Sequence, residues 1–124
     1  MTAEELLDAC RRFPDAFVDY PFDDPIAVAR RRSSRKWFAV LLDVHGRACV
    51  NLKCEPERAE LYRRVYQSVT PGWHMNKTHW NTVALEGDVP DQELLDMLAH
   101  SYGLVGPKRK PPRQPPLQFG RDPV

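Results

Sequence analysis

The sequence lacks the long apolar runs that mark membrane and secreted proteins. Its longest uninterrupted apolar stretch, Trp37 to Leu42, has six residues, whereas a helix needs about 20 to span a membrane. Residues 1–10 carry three carboxylates where a signal peptide would carry positive charge. We therefore expect a cytoplasmic protein without a membrane segment.

Cysteine patterns and the common catalytic motifs are also missing. The only three cysteines, Cys10, Cys49 and Cys54, show no CxxC spacing. An odd set of this kind indicates neither a disulfide framework nor a zinc site, so we expect three buried thiols. The chain has no GxGxxG, GxxxxGKS/T, GxSxG or HExxH motif, which removes the usual loops for nucleotide, nucleophile-elbow and zinc chemistry. We expect no enzymatic activity, no metal and no cofactor.

A large net charge of either sign is also absent, because 18 Lys and Arg face 17 Asp and Glu and leave a formal charge of +1. The balance is uneven, since residues 104–124 hold five Lys and Arg against one Asp and the remainder is net acidic. From Pro107 onward six of eighteen residues are proline, a composition that cannot bury a core. We predict one domain over 1–105 and a basic, proline-rich, disordered tail over 106–124. The tail could offer mobile cations to DNA, occupy the aromatic groove of a protein partner, or only add solubility.

Apolar periodicity predicts the order α-β-β-β-β-α-β-α. Thr2 and Glu5 form a capping-box pattern that starts a helix, and Pro14 ends it. Strands are predicted over 17–20, 26–31, 36–44, 47–53 and 80–85, and further helices over 57–66 and 91–102. A hairpin turn is expected at Asp43–Gly46, a turn at Thr70–Gly72 and a C-cap at Gly103. Consecutive strands between helices favour an α+β fold, an antiparallel sheet with its helices on one face.

Several ordered segments resemble the MmcQ/YjbR family. They are Asp19-Tyr-Pro-Phe22, Asn51-Leu-Lys-Cys-Glu-Pro-Glu57, the run Val69 to Val83 with its Trp-His-Met-Asn-Lys-Thr-His-Trp core, and His100-Ser-Tyr102. The resemblance covers about residues 1–105 and leaves out the tail. It implies a compact sandwich similar to the bacterial frataxin-like (CyaY-like) fold, and DNA binding through a surface described as double-winged. Likeness of fold carries no function by itself.

The segment Trp73–Trp80 combines two Trp, two His, Asn, Lys and Thr in eight residues. Its lysine can neutralise a phosphate, its other polar groups can bond phosphates or base edges, and an exposed Trp can stack on a base. The alternative is that both tryptophans are core anchors of a long connection. Trp80 opens a strand and is the better core candidate. The predicted surface groups are His74, Asn76, Lys77 and His79.

A second cluster surrounds the Ser33-Ser34 turn and has the shape of a basic wing. Its five cations are Arg30, Arg31, Arg32, Arg35 and Lys36. Such a tip suits phosphate neutralisation, although a charged hairpin can also serve solubility alone. In the adjacent motif, strand alternation places Asn51 and Lys53 on one face and Leu52 toward the core. By the family analogy Asn51 and Lys53 would be functional groups on the sheet surface; otherwise they form an ordinary solvated face.

The leading hypothesis is a DNA-binding module that uses the hairpin cations, Lys77 and the Trp73–Trp80 segment. The net acidity of the folded part weighs against it unless the cations cluster on one face. The rival is a non-catalytic adaptor whose His/Asn/Trp segment binds a partner protein or a small anionic ligand. A third reading is an enzyme with His74 or His79 as general base, but no partner carboxylate or nucleophile identifies itself.

Overall fold

The computed structural model describes residues 1–22 and 25–107. These form α1 (Ala3–Arg11), β1 (Ala16–Asp19), β2 (Ala27–Arg31), β3 (Trp37–Val44), β4 (Arg47–Lys53), α2 (Pro56–Val65), β5 (Val69–Pro71), β6 (Trp80–Ala84) and α3 (Asp91–Leu104). The strands make one antiparallel sheet in the order β1-β2-β3-β4-β6-β5, which confirms the predicted α+β class. No helix in this part of the chain is long and apolar enough to cross a membrane. The predicted tail lies outside the described residues from position 108 onward.

One strand more is present than the sequence predicts. The prediction of a turn at Thr70–Gly72 is wrong, because Val69 and Thr70 pair with β6 and form the edge strand β5. Pro71 can end this strand because an edge position leaves its missing N–H without consequence. The chain turns at Gly72 instead, whose N–H donates to the Trp80 carbonyl at 2.9 Å. A Cβ at Gly72 would lie 2.7 Å from the Trp80 Cβ, so the close approach requires glycine.

The helices pack on one face of the sheet and form a single core with it. Apolar side chains from α1 and α3 meet the inward residues of the strands, and the largest fully buried side chain is Phe38. The core includes Leu6, Leu7, Cys10, Ala27, Ala29, Leu41, Val50, Leu52, Val83, Leu94 and Leu98. The predicted capping box holds, since the Thr2 hydroxyl accepts from the Glu5 N–H and the Glu5 carboxylate from the Thr2 N–H.

The end of α3 departs from the prediction at Gly103. That residue lies inside the helix, which continues to Leu104. Val105 is buried in the core, and its carbonyl accepts a 2.5 Å hydrogen bond from the Ser34 hydroxyl. These contacts bind the residue that follows the helix to the core and to the turn between β2 and β3. The glycine at the β3–β4 turn behaves as predicted, with φ of +81° at Gly46.

The face of the sheet opposite the helices, here called the outer face, is also largely covered. Its buried residues are Val28, Val40, Cys49, Asn51, Trp80, Thr82 and Ala84. Strand register places them there, because Val28 pairs with Val40, Asn51 with both Val40 and Thr82, and Cys49 with Ala84. The connection between β5 and β6, residues 72–79, folds back over this face. That fold-back determines which polar residues are available at the surface.

Candidate nucleic-acid interface

The arginine hairpin, residues 30–36, gathers three guanidinium groups around one aromatic ring. The guanidinium carbons of Arg32, Arg35 and Arg30 lie 5.1, 5.6 and 5.9 Å from the centroid of the Phe17 ring. Phe17 pairs with Arg30 across β1 and β2, so the aromatic ring and the strand arginine share the outer face. Contacts of this length are cation–π interactions. They hold like charges together that would otherwise separate.

The hairpin cations differ in how far they are compensated. Arg30 forms an ion pair with Asp19 at 3.1 Å, and its side chain is 21% exposed. Arg32, Arg35 and Lys36 are exposed, and within the described residues no carboxylate forms an ion pair with them. The hairpin therefore presents three positive charges that no carboxylate of residues 1–22 or 25–107 pairs with, next to one neutral ion pair.

Arg31 does not belong to this group. Alternation along β2 turns it to the opposite face from Arg30, where its Nε donates to the Asp15 carboxylate at 3.1 Å and its Nη1 to the Tyr102 carbonyl at 3.1 Å. Its guanidinium lies 3.9 Å from the Tyr102 ring centroid, and its side chain is 17% exposed. The prediction of five cations around one tip is thus corrected to four, with Arg31 bonding the hairpin to α3.

Asp15 fixes the tip from which the exposed arginines project. Its carboxylate accepts from the Ser33 backbone N–H at 3.2 Å and from the Ser33 hydroxyl, and its backbone N–H donates to the Tyr102 hydroxyl at 3.3 Å. The Ser33 hydroxyl and the Arg31 guanidinium both stabilise the carboxylate, so the pKa of Asp15 lies below its ordinary value. Arg35 follows with φ of +64°. The turn is bound on its inner side, and the cations face outward.

Asn51 and Thr82 hold both backbone polar groups of Trp73. The Asn51 Nδ2 donates to the Trp73 carbonyl at 3.0 Å, and the Trp73 N–H donates to the Thr82 Oγ1 at 2.8 Å. The Thr82 hydroxyl donates to the Asn51 Oδ1 at 2.5 Å and closes the set. Asn51 is only 1% exposed. The prediction that it is a surface group is wrong, because the 72–79 connection covers the strand position that alternation leaves outward.

Trp73 itself stays 37% exposed. Its ring lies 5.3 Å from the His45 ring and 4.9 Å from the His74 ring, with interplanar angles of 74° and 70°. His45 and His74 both have positive φ, 51° and 57°, which non-glycine residues rarely adopt. The indole therefore sits at the surface between two imidazole groups, while its backbone is bound to the buried pair beneath.

The predicted surface residues of the connection are all exposed: His74, Asn76, Lys77 and His79. Asn76 is occupied locally, since its Oδ1 accepts from the N–H groups of Thr78 and His79 at 2.9 and 3.2 Å. The Lys77 Nζ donates to the Gly72 carbonyl at 2.9 Å. Trp80 is buried, as predicted. The loop thus presents His74, Lys77 and His79 and uses Asn76 to shape its turn.

Arg63 of α2 secures the other side of this loop. Its Nε donates to the Asn81 Oδ1 at 2.7 Å, and its Nη2 donates to the Trp80 carbonyl at 3.3 Å and to the Lys77 carbonyl. Lys53 is half-buried, pairs with Trp80 and shares the outer face with Asn51. Leu52 lies in the core, as alternation predicts. Lys53 therefore lies on β4, between the strands that carry the hairpin and those that carry the loop.

Sequence reasoning missed Phe17, Thr82 and Arg63 as parts of this surface. Phe17 carries no signal beyond being aromatic, and Arg63 looks like any helical arginine. The one available signal was Thr82, because a polar residue inside the apolar strand Trp80–Ala84 must find a partner when buried. Strand register pairs it with Asn51, the residue whose amide needs the same satisfaction.

The buried cysteines are inert in this fold. Burial raises the pKa of Cys10 to about 12 and that of Cys54 to about 11, so neither thiol provides a thiolate at neutral pH. Cys49 is buried as well. Within residues 1–22 and 25–107, no three His, Cys, Asp or Glu side chains lie together as a metal site would need.

Known proteins share both this sequence and this fold. A family model described as YjbR matches residues 11–104. YjbR of Escherichia coli (strain K12) is 35% identical over 102 residues, which cover 82% of this chain and 85% of that protein. A crystal structure from Pseudomonas syringae has a TM-score of 0.79 at 28% identity over 86% of this chain and 100% of its own. A Deinococcus radiodurans structure described as a DUF419 domain has a TM-score of 0.76 at 36% identity, with 84% and 78% covered. The chain belongs to the YjbR family, as its motifs indicate.

Proposed function

We propose that this protein is a non-catalytic DNA-binding module that engages phosphates with the arginine hairpin. The observation that carries the proposal is the gathering of Arg30, Arg32 and Arg35 around Phe17 on a bound turn. Packing like charges together is unfavourable without a counter-charge, and the exposed members have no carboxylate partner in the described residues. Phosphate oxygens supply that counter-charge and accept several guanidinium hydrogen bonds at once.

The positions of two further cations, Lys53 and Lys77, support the same function. The β2–β3 turn and the β5–β6 loop lie at one end of the sheet, because the last residue of β4, Lys53, pairs with the first residue of β6, Trp80. Strands β3 and β4 separate β2 from β6, which corresponds to roughly 14 Å at about 4.8 Å per strand. Lys53, at the end of β4, lies on the outer face between the hairpin and this loop, and the Lys77 side chain extends from the loop into the groove that also contains His45 and Arg47.

The net acidity of the folded part weighs less against this proposal because eight of its 16 carboxylates lie on the three helices. Six of them lie on α1 and α3: Glu4, Glu5, Asp8, Asp91, Glu93 and Asp96. Near the hairpin, Asp15 and Asp19 are both ion-paired with arginines. This separation would orient the protein toward a polyanion even at low net charge. We likewise propose that the fold is a frataxin-like sandwich, that the protein is cytoplasmic, and that the basic tail contributes to DNA binding.

A charge-matched pair of variants tests the hairpin. Arg32→Gln/Arg35→Gln removes two exposed cations from it, and Arg11→Gln/Arg64→Gln removes two exposed cations from α1 and α2. Fluorescence anisotropy with a labelled duplex at low salt should show affinity lower by on the order of tenfold for the first variant and nearly unchanged for the second. Equal effects would refute the hairpin as the contact. Absence of binding by the unmodified full chain would refute DNA as the ligand and favour the adaptor.

A further inference from the structure

Trp73 lines two grooves, one on the outer face and one that reaches round to α1. One groove, of about 510 Å³, is lined by Trp73 together with His45, Arg47, Thr70 and Lys77 among others. The second, of about 560 Å³, lies on the His74 side. Resting on the proposed function, we infer that Trp73 is a stacking platform for an unpaired base of single-stranded DNA. The phosphate of that nucleotide lies in the first groove, beside Arg47 and Lys77.

Two buried residues of the sheet hold this indole in place. Asn51 and Thr82 are 1% and 4% exposed, and their side chains bond each other and the two backbone polar groups of Trp73. Buried polar side chains cost free energy unless every group is satisfied, and here they are satisfied by the residue that carries the exposed ring. Arg63 binds the same loop from the helix side. The platform is therefore preorganised, which reduces the entropy lost on binding.

No aromatic ring of the described residues stacks parallel on the indole, which is 37% exposed. Both neighbouring imidazoles meet the ring at steep angles, 74° for His45 and 70° for His74, and no other aromatic ring of the described residues contacts Trp73. A nucleobase stacks parallel on an aromatic side chain, and this contact is tolerant of base identity. The imidazole nitrogens can donate or accept hydrogen bonds at the edge of such a base.

Charge selects the first groove for the phosphate. Its charged lining residues are Arg47 and Lys77, and no carboxylate lines it within the described residues. The second groove has Glu4 and Asp43 in its wall, which repel an anion. The Thr70 hydroxyl, whose contact with the Thr82 carbonyl is 3.4 Å long, lies in the same groove and can bond a phosphate or sugar oxygen. Its volume falls in the range of small-ligand sites, roughly 300–1,000 Å³.

The platform and the hairpin are too far apart for one nucleotide to reach both. β2 and β6 are separated laterally by roughly 14 Å, and Trp73 meets His45 of the β3–β4 turn, at the opposite end of the sheet from the hairpin. A strand that contacts both therefore spans at least about four nucleotides at 3.4 Å each. A duplex keeps its bases paired and cannot offer one to Trp73, whereas its phosphates remain accessible to the hairpin. The full site is thus predicted to prefer single strands, and the hairpin alone to bind both forms.

Three labelled ligands test the inference with the full chain at low salt: a 12-nucleotide single strand, a blunt duplex of the same sequence, and a 12-unit abasic strand that keeps the phosphates. Trp73→Ala should weaken single-strand binding by about 5- to 150-fold and change duplex and abasic affinity less than about twofold. Trp73→Phe should recover most of the affinity, because it restores an aromatic face. Thermal melting verifies that both variants are folded.

The outcomes separate this inference from the proposed function. Duplex binding that depends on Arg32 and Arg35, with Trp73→Ala equally active on all three ligands, overturns the platform and leaves the hairpin proposal standing. Trp73-dependent single-strand binding that ignores the hairpin variants supports the platform and overturns the hairpin. No binding to any strand overturns both. Free deoxyadenosine monophosphate binding as tightly as the 12-mer would identify a nucleotide ligand and overturn the nucleic-acid assignment.

Discussion

Asn51 shows how one buried amide determines what the surface offers. Its Nδ2 and Oδ1 bond the Trp73 carbonyl and the Thr82 hydroxyl, so the side chain connects two central strands to a surface loop. A buried amide among apolar strand residues is tolerated here because the connection satisfies its polar atoms with hydrogen bonds. Its role is to position Trp73 and not to contact a ligand.

Asn51→Leu should lower the free energy of unfolding by about 1–3 kcal/mol, because the Trp73 carbonyl loses its partner beneath the loop. Urea unfolding measures this change. Lys53→Ala, two residues along the same face and half-exposed, is the matched control and should stay within about 0.5 kcal/mol of the unmodified protein. Equal stability of Asn51→Leu and the control would contradict the positioning role.

His100 makes stability sensitive to pH. The Glu55 N–H donates to its Nε2 at 3.3 Å, and the Arg58 Nη1 lies 3.1 Å from its Nδ1. Burial and the Arg58 charge lower the pKa of His100, against a smaller opposing effect of Glu55. A neutral imidazole accepts one of these contacts, depending on its tautomer, and an imidazolium accepts neither. The neutral ring therefore stabilises the fold above the unfolded pKa of about 6.5, and this contribution is lost as pH falls below that value.

The test is urea unfolding of the unmodified protein and His100→Gln between pH 5 and pH 8. The unmodified protein should lose more stability than the variant as pH falls through 6.5 and below. Parallel curves for the two proteins would show that His100 does not carry the dependence.

The pattern of the sequence predicts the direction of side chains here better than their exposure. Alternation places Leu52 in the core and Asn51 on the other face correctly, because it follows from local strand geometry. Exposure of Asn51 depends on a loop more than twenty residues away that covers it, and local periodicity contains no information on that contact. Arg31 fails for the related reason that its partner, Tyr102, lies in the last helix.

At the scale of elements, strand alternation gives the hairpin two sides. One side is bonded to the rest of the fold, and the other is exposed at the surface. Arg31 binds Asp15 and Tyr102, whereas Arg32 and Arg35 project over Phe17. Arg31→Met should lower the free energy of unfolding by about 2 kcal/mol, since a partly buried charged contact and a cation–π contact are lost together. Arg32→Gln is expected to change it by less than about 0.5 kcal/mol. Chemical denaturation that ranks the two variants in the reverse order would contradict this division.

The turn between β6 and α3 is bonded to the connection before β5 by Asp88. Its carboxylate accepts from the Ser68 hydroxyl at 2.6 Å, the Ser68 N–H at 2.9 Å and the Gln67 N–H at 2.8 Å. These bonds lower the pKa of Asp88 to about 2. The ionised group stabilises the fold fully above the unfolded value of 3.8, and this stabilisation is lost as pH falls from 3.8 toward 2.

Asp88→Asn should therefore be less stable than the unmodified protein near pH 5, and the difference should shrink as pH falls to 2. Urea titrations at several pH values measure it, and Ser68→Ala, which removes the largest cause of the shift, should reproduce part of the effect. A difference that is constant over this range would exclude the carboxylate as its source.

Most elements could be predicted because each has a local signature. Thr2 and Glu5 mark α1, Gly46 marks the β3–β4 turn, and alternating apolar residues mark β6. The edge strand β5 has only three residues and ends in proline, so nothing local distinguishes it from a turn. It exists because Val69 is buried against Val83, a contact that depends on the assembled sheet.

At the scale of the whole molecule, charge is sorted although the total is close to zero. Six carboxylates lie on α1 and α3, while the hairpin cations and Lys53 lie at one end of the sheet. Such a molecule can bind a polyanion by a small number of contacts, and its affinity then falls with salt in proportion to that number. Because the net charge of the protein is low, we expect the rest of its surface to bind a polyanion only weakly.

The most direct test of the central claim is the salt dependence of duplex binding by the full chain and by Arg32→Gln/Arg35→Gln/Lys36→Gln. For each phosphate contact, the slope of log K against log salt changes by about 0.9. We predict that the triple variant has a slope shallower by about 2 to 3, while a variant with three cations removed from α1 and α2 keeps the original slope. Identical slopes for the hairpin variant and the unmodified protein would contradict the claim that the arginine hairpin binds the phosphate backbone.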